Sequence, residues 1–139
     1  MKRITAMALF TLAGLLGMGN ASAQNHEVRA TVPFNFMAGS KQLPAGNYSI
    51  VSVSDGTIEI RNRAGHVAIL TEAVAGTAQA KNDGKLVFNR HNDRYFLREI
   101  RCESAAMNLR LPVTKLEKRE SVEEAKVASR GGEVLIALK

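Results

Sequence analysis

Tryptophan is absent, cysteine occurs once and proline only three times in the 139 residues. A single cysteine cannot form an internal disulfide, so the core must hold by packing alone. Cys102 is read as a buried apolar filler, with an intermolecular bridge or a reactive thiol as the sharper alternative. The three aspartates, Asp55, Asp83 and Asp93, all sit in turn-like contexts, where the carboxylate bonds its own backbone. The three histidines, His26, His66 and His91, fall in separate segments and at no metal-ligand spacing, so no metal and no cofactor is expected. The chain lacks a Gly-x-Ser-x-Gly elbow, a Cys–His signature and a glycine loop for phosphate. An acid–base pair would have to come from strand glutamates such as Glu59, Glu72 or Glu99, whose alternation with apolar neighbours turns them to solvent. No catalytic residue is assigned, and these absences argue against an enzyme.

What is present begins with a targeting segment. Lys2 and Arg3 precede an uncharged apolar stretch from Ile4 to Met18, and Ala21-Ser22-Ala23 fits a small-x-small cleavage site. The apolar run is short of the ~20 residues that a bilayer-spanning helix needs. The expectation is therefore a cleaved secretory signal over 1–23, an exported periplasmic or extracellular product of 24–139, and no transmembrane segment after cleavage. That length suits one domain. The net charge of +6 is spread along the chain with glutamates interleaved, unlike the concentrated basic face of a nucleic-acid protein. Nucleic acid is not an expected partner.

The stretch Thr31–Val53 sets the β character. Phe34 and Phe36 lie two apart, Pro44-Ala45-Gly46 breaks the chain, and Tyr48 and Ile50 restart the period of two. Pro33 confines the first strand, His26–Phe36, to an edge or bends it, and Met37–Lys41 reads as a loop. Gly46–Ser54 and Thr57–Arg61 flank Asp55-Gly56, a type I′ hairpin signal, with Ile58 and Ile60 pointing inward. His66–Val74 follows as a strand, and Asn82-Asp83-Gly84 as a turn. Lys85–Arg90 and Arg94–Glu103 form a hairpin around His91-Asn92-Asp93. The faces of this last strand are ambiguous, because Tyr95-Leu97 and Phe96-Ile100 have opposite parity. Ala105–Leu111 is a weaker strand. Six aromatics, Phe34, Phe36, Tyr48, Phe88, Tyr95 and Phe96, are the expected core.

After Pro112 the composition shifts. Thr114 and Glu117 fit a capping box, opening a charged helix over about 115–129 whose apolar stripe (Leu116, Val122, Val127) is poor. Such a helix lies on the surface with little buried face, or waits for a partner. Gly131-Gly132 stops it, and 133–138 reads as a terminal strand, either returned to the sheet or left as an edge for oligomer formation. The fold class is mainly β: a single small antiparallel sandwich or barrel of about 6–8 strands with one charged surface helix near the C-terminus.

The densest basic run is Arg90, Arg94, Arg98, Arg101 and Arg110. Arg94 and Arg98 are expected on one strand face with Arg90 across the hairpin, paired in part with Glu99 and Glu103. Arg90, Arg94, Arg98, Tyr95 and His91 are the candidate ligand-binding residues. The expected partner is an envelope protein, an acidic polysaccharide or a lipid headgroup. The leading functional expectation is an exported, non-enzymatic envelope or cell-surface interaction module. The rival is a small-ligand carrier or hydrolase with a site assembled from scattered residues around the 90–98 hairpin.

Three segments together, Val32-Pro33-Phe34-Asn35-Phe36, Leu43-Pro44-Ala45-Gly46-Asn47-Tyr48, and Leu86-Val87-Phe88 through Asp93-Arg94-Tyr95-Phe96-Leu97, resemble a group of small exported proteins from acidobacterial and other soil bacteria. The resemblance covers most of 24–139 and implies export and a β fold, with no activity attached. The chain departs from that pattern at Asn92, where glycine is expected, and in the tail from Gly131 onward.

Overall fold

The computed structural model describes residues 26–77, 84–127 and 131–139. The signal-like segment, Asn82-Asp83 and the last residues of the expected helix lie outside them. The chain is mainly β. Strands β1 (Glu27–Val32), β4 (Gly46–Ser54), β5 (Thr57–Asn62) and β6 (Val67–Glu72) form one antiparallel sheet in the order β1-β4-β5-β6. The second sheet runs β11 (Gly132–Ala137), β8 (Lys85–His91), β9 (Arg94–Cys102), β10 (Met107–Arg110), β7 (Val74–Ala75). A short hairpin of β2 (Phe36–Ala38) and β3 (Lys41–Leu43) joins it through a parallel pairing of β2 with β9.

The sheets curl around one interior as a half-barrel, and the chain stitches both seams. On one side β6 passes into β7 through buried Ala73, whose N–H reaches the Gly56 carbonyl at 3.0 Å. On the other, Leu138 bridges Ala30, and Lys139 N–H donates to the Arg29 carbonyl at 2.8 Å. The terminal strand therefore returns to the sheet, pairing with β8 along its whole length.

Period-two alternation explains the interior. Val28, Ala30 and Val32, then Tyr48 and Ile50, then Ile58 and Ile60 are buried from the first sheet. Leu86, Phe88, Leu97, Ile100 and Met107 meet them from the second. Phe36 packs edge-on against both Tyr48 and Phe88, and Phe34 stacks on Tyr95 at the rim, with ring centroids 3.9 Å apart. Of the six expected core aromatics, Phe36, Tyr48 and Phe88 lie in this interior, and Phe34 and Tyr95 are partly buried against it. Phe96 is buried on the opposite face of its sheet, outside the main cluster.

Tyr48 is also a polar tie. Its hydroxyl donates to the Pro44 carbonyl and accepts from Asn62 Nδ2 at 3.2 Å, while Asn62 Oδ1 takes the N–H groups of Ala64 and Gly65. Burial pushes the Tyr48 phenol above its usual pKa.

Several local expectations are corrected. The first strand is an edge strand, as Pro33 required, but it stops at Val32 and the chain resumes as β2 at Phe36, because Pro33 has no N–H for the ladder. The expected loop at Met37–Lys41 is the heart of the β2–β3 hairpin. Its turn carries Gly39 at φ +58°, where a Cβ would also meet Thr71 Oγ1 at 2.6 Å. The Asp55-Gly56 hairpin has a positive φ at Gly56 and not at Asp55, with a register shift between Ser52 and Ser54. It is a bulged turn, not type I′. Eleven short strands among the described residues exceed the expected six to eight, because breaks at Pro33 and Ala73 split two of them and β3 adds one more.

Replacing Phe88 with alanine should cost ~3–5 kcal/mol through the cavity left in the interior. Leu70→Ala, at a side chain 67% exposed, should change stability by less than ~0.5 kcal/mol. Urea unfolding of both variants checks this; equal losses would contradict the assignment of the core.

Candidate functional site

The β8–β9 hairpin carries all five candidate binding residues, and the ladder decides which of them meet. His91 pairs with Arg94, and Asn89 with Phe96, so these four share the outer face of the second sheet. Arg90 pairs with Tyr95 on the other face, where Tyr95 is held by its stack on Phe34. Between Val87 and Phe88 the register shifts, because β9 supplies one extra residue, Arg98. That bulge resolves the parity conflict: Tyr95 and Leu97 before it, and Ile100 and Cys102 after it, all serve the interior. Val87 and Phe96, both buried, serve the outer face, so the strand pair is covered on both sides.

The outer cover is helix α1 (Lys115–Lys126). Thr114 caps it, its Oγ1 accepting the Glu117 N–H at 3.2 Å. The expected reciprocal half of the capping box is absent, because the Glu117 side chain turns to the sheet. There Glu117 Oε1 accepts from Asn89 Nδ2 at 3.3 Å, and Glu117 Oε2 lies 3.6 Å from Arg98 Nη1. Glu120 accepts from Asn92 Nδ2 at 3.1 Å and faces Arg94 at 3.5 Å. Glu124 takes His91 Nδ1–H at 2.7 Å and the Asn92 N–H at 3.4 Å.

Glu117, Glu120 and Glu124 are spaced i, i+3, i+7, so one side of the helix is a row of carboxylates. Glu117 and Glu124 are the buried residues of the helix, 3% and 5% exposed, while Val122 and Val127 are 55% and 75% exposed. The helix thus docks by its polar side. Hydrogen bonding from His91 holds the Glu124 carboxyl below the usual carboxylate range, against the opposing effect of burial.

Arg94, Arg98 and His91 are therefore matched within the chain to glutamates of α1, and not to the Glu99 and Glu103 expected from the sequence. Glu99 instead serves Arg101 at 2.6 Å and Arg110 at 2.9 Å. Burial pushes Glu99 up, yet these two arginines together hold it below its ordinary pKa. Arg98 also donates to the Leu111 carbonyl at 2.6 Å, which fixes the chain entering the helix.

A groove of about 360 Å³ opens beside this contact, lined by Asn89, Arg90, His91, Ser121, Glu124 and Glu133 together with Gly131 and Gly132. The backbone comes close here: a Cβ on Gly131 would lie 2.9 Å from Glu124 Oε2 and 3.0 Å from the Arg90 carbonyl. Ser121 Oγ donates to the Lys118 carbonyl and is not bonded to His91. Among the described residues no group of three His, Cys, Asp or Glu side chains could hold a metal ion, and no helix is long and apolar enough to cross a membrane. Cys102 is free and buried beneath the sheet, with Ser104 Oγ 3.3 Å from its sulfur.

The sequence reading missed the residues that complete this surface: Glu117, Glu120 and Glu124 from the helix, with Asn89 and Asn92 from the hairpin. Their i, i+3, i+7 spacing opposite a basic hairpin was the available signal. Compared with known proteins, the chain matches no family model, no curated protein and no solved structure.

A pKa lowered on folding stabilises the docked state above the unfolded value and loses that contribution as pH falls through the folded one. Amide protection of α1 should therefore drop in acid, below about pH 4.5, where carboxylates protonate. Glu124→Gln should flatten that response, as followed by NMR amide exchange; an unchanged pH profile would contradict the role of Glu124. Cys102 should react with a thiol reagent only after unfolding, and rapid labelling of the native protein would contradict its burial.

Proposed function

We propose that this chain is an exported interaction module that works through its outer faces and carries no chemistry of its own. The observation that supports it is the filled interior. Tyr48, Phe88, Ile50, Ile58, Ile60, Leu86, Ile100 and Met107 are all buried there. A small barrel filled by side chains recognises partners on its outside, whereas a carrier barrel keeps its interior for a ligand. Export is supported by the signal-like segment at 1–23 and by the resemblance of the 32–36, 43–48 and 86–97 segments to small exported proteins. The outer surface offers half-exposed or more exposed apolar side chains at Leu70, Val74 and Leu135 beside charged neighbours, the mixture that protein partners use.

A second reading rests on the groove. A histidine whose Nδ1 is oriented by a carboxylate beside a polar groove suits a hydrolase or a carrier of a small polar ligand. The missing bond between Ser121 and His91 places it behind the interaction reading.

The test is affinity capture with residues 24–139 against envelope extract from the source organism, over a salt series. A defined protein partner retained at high salt is expected. Capture of nothing, together with turnover of a model ester that His91→Ala abolishes, would overturn the interaction reading in favour of the groove. Arg94→Ala with Arg98→Ala should weaken capture only by loosening α1; unchanged helix protection with lost capture would return the binding role to those arginines.

A further inference from the structure

The charges of α1 are sorted. Its sequence holds four glutamates and four basic residues, so the helix has no net charge. Three of the glutamates, Glu117, Glu120 and Glu124, face the hairpin and are matched there by His91, Arg94, Arg98 and the two asparagines. The basic residues are left outside. Lys115, Arg119, Val122 and Lys126 follow at i, i+4, i+7 and i+11, one stripe on the side away from the sheet, and all four are exposed. Lys118 flanks the stripe and is exposed as well. The fourth glutamate, Glu123, sits at the margin, where it pairs with Lys126 at 3.1 Å in an arrangement about two-thirds exposed on both sides. A pair so open to water is worth little and yields readily to a stronger anion.

The same sorting matches Arg94 and Arg98 with glutamates inside the chain and leaves the cations of α1 facing outward. The acidic side of the helix is used up in docking, and the cations it would otherwise neutralise are presented together on a rigid element. Val122, 55% exposed in the middle of the stripe, adds apolar contact beside the cations. A row of cations with an exposed valine, Val122, at its centre suits the boundary between headgroups and acyl chains better than a fully hydrated polysaccharide.

We propose that the outward stripe of α1, Lys115, Arg119, Val122 and Lys126 with Lys118 beside it, is a docking surface for anionic lipid headgroups, seating the domain on a membrane surface without crossing it. This deepens the interaction reading by naming a partner class, and it rests on that reading for its setting outside the cytoplasm. The geometry is self-consistent. The stripe points away from the sheet because the carboxylate row points toward it, so docking needs no rearrangement of the fold.

The experiment is co-sedimentation of residues 24–139 with vesicles of phosphatidylcholine alone and with about 30% phosphatidylglycerol, a mixture that sets a negative surface potential. Binding to the anionic vesicles only, weakened as salt rises, is expected. Each cation near such a surface contributes about fivefold in affinity, so Lys115→Glu with Arg119→Glu should lower binding by about a hundredfold or more. Both positions are exposed, and an unchanged thermal melt confirms that the variant is folded. Lys85→Glu, a cation at the end of the hairpin away from its turn, should leave vesicle binding within about twofold. Equal binding to both vesicle types, or full binding by the Lys115/Arg119 variant, would overturn the proposal. So would failure to bind vesicles while a soluble acidic polysaccharide is bound, an outcome that assigns the stripe to a glycan. A protein partner captured from envelope extract with no vesicle binding overturns this inference and leaves the interaction reading standing. Absence of both overturns the two together.

Discussion

The β8–β9 ladder must be buried on both of its faces, and the rest of the structure follows from how that is achieved. One face is apolar in the ordinary way: Leu86, Phe88, Leu97 and Ile100 close the interior against Tyr48, Ile50, Ile58 and Ile60. The other carries Val87 and Phe96 among polar neighbours, Asn89, His91, Arg94 and Arg98, and an apolar cover would strand those groups without partners. A helix that presents carboxylates meets both needs. It shields the two apolar side chains and gives each polar neighbour an acceptor. Burying Glu117 and Glu124 is tolerable only because several donors converge on them, since a buried carboxylate without such partners is strongly unfavourable.

The single extra residue at Arg98 is what allows the two faces to coexist. Without the bulge, Leu97 and Ile100 would point to opposite sides of the sheet, and one of them would face the helix. With it, both fill the interior, and the inserted arginine reaches Glu117 and the Leu111 carbonyl. The same side chain therefore anchors the start of the helix and the segment that leads into it.

Much of the sheet was legible in the sequence. The strands 46–54, 57–62 and 85–91 announce themselves by alternation, and 94–102 by the Asn-Asp turn before it. The Thr114 cap was readable too. The β2–β3 hairpin was not, because each arm has three residues and Lys41-Gln42 show no alternation to detect. The bulge was visible only as a conflict of parity, since an insertion in a ladder depends on the partner strand. The side on which α1 docks was hidden for a different reason. A search for the buried side of a helix looks for an apolar stripe, and here two of its three members, Val122 and Val127, are outside while Leu116 is only partly buried. The five basic-hairpin candidates were correctly grouped on one hairpin, but the ladder divides them between two faces, and that division depends on register.

The central claim is that the carboxylate row of α1 is what holds it on the β8–β9 hairpin. A double-mutant cycle between Arg98→Ala and Glu117→Gln, read by urea unfolding at low and high salt, tests it most directly. A coupling of about 1–3 kcal/mol that shrinks with salt is the expected result. Strictly additive losses, with no dependence on salt, would contradict it and show that the helix is held by something other than its carboxylate row.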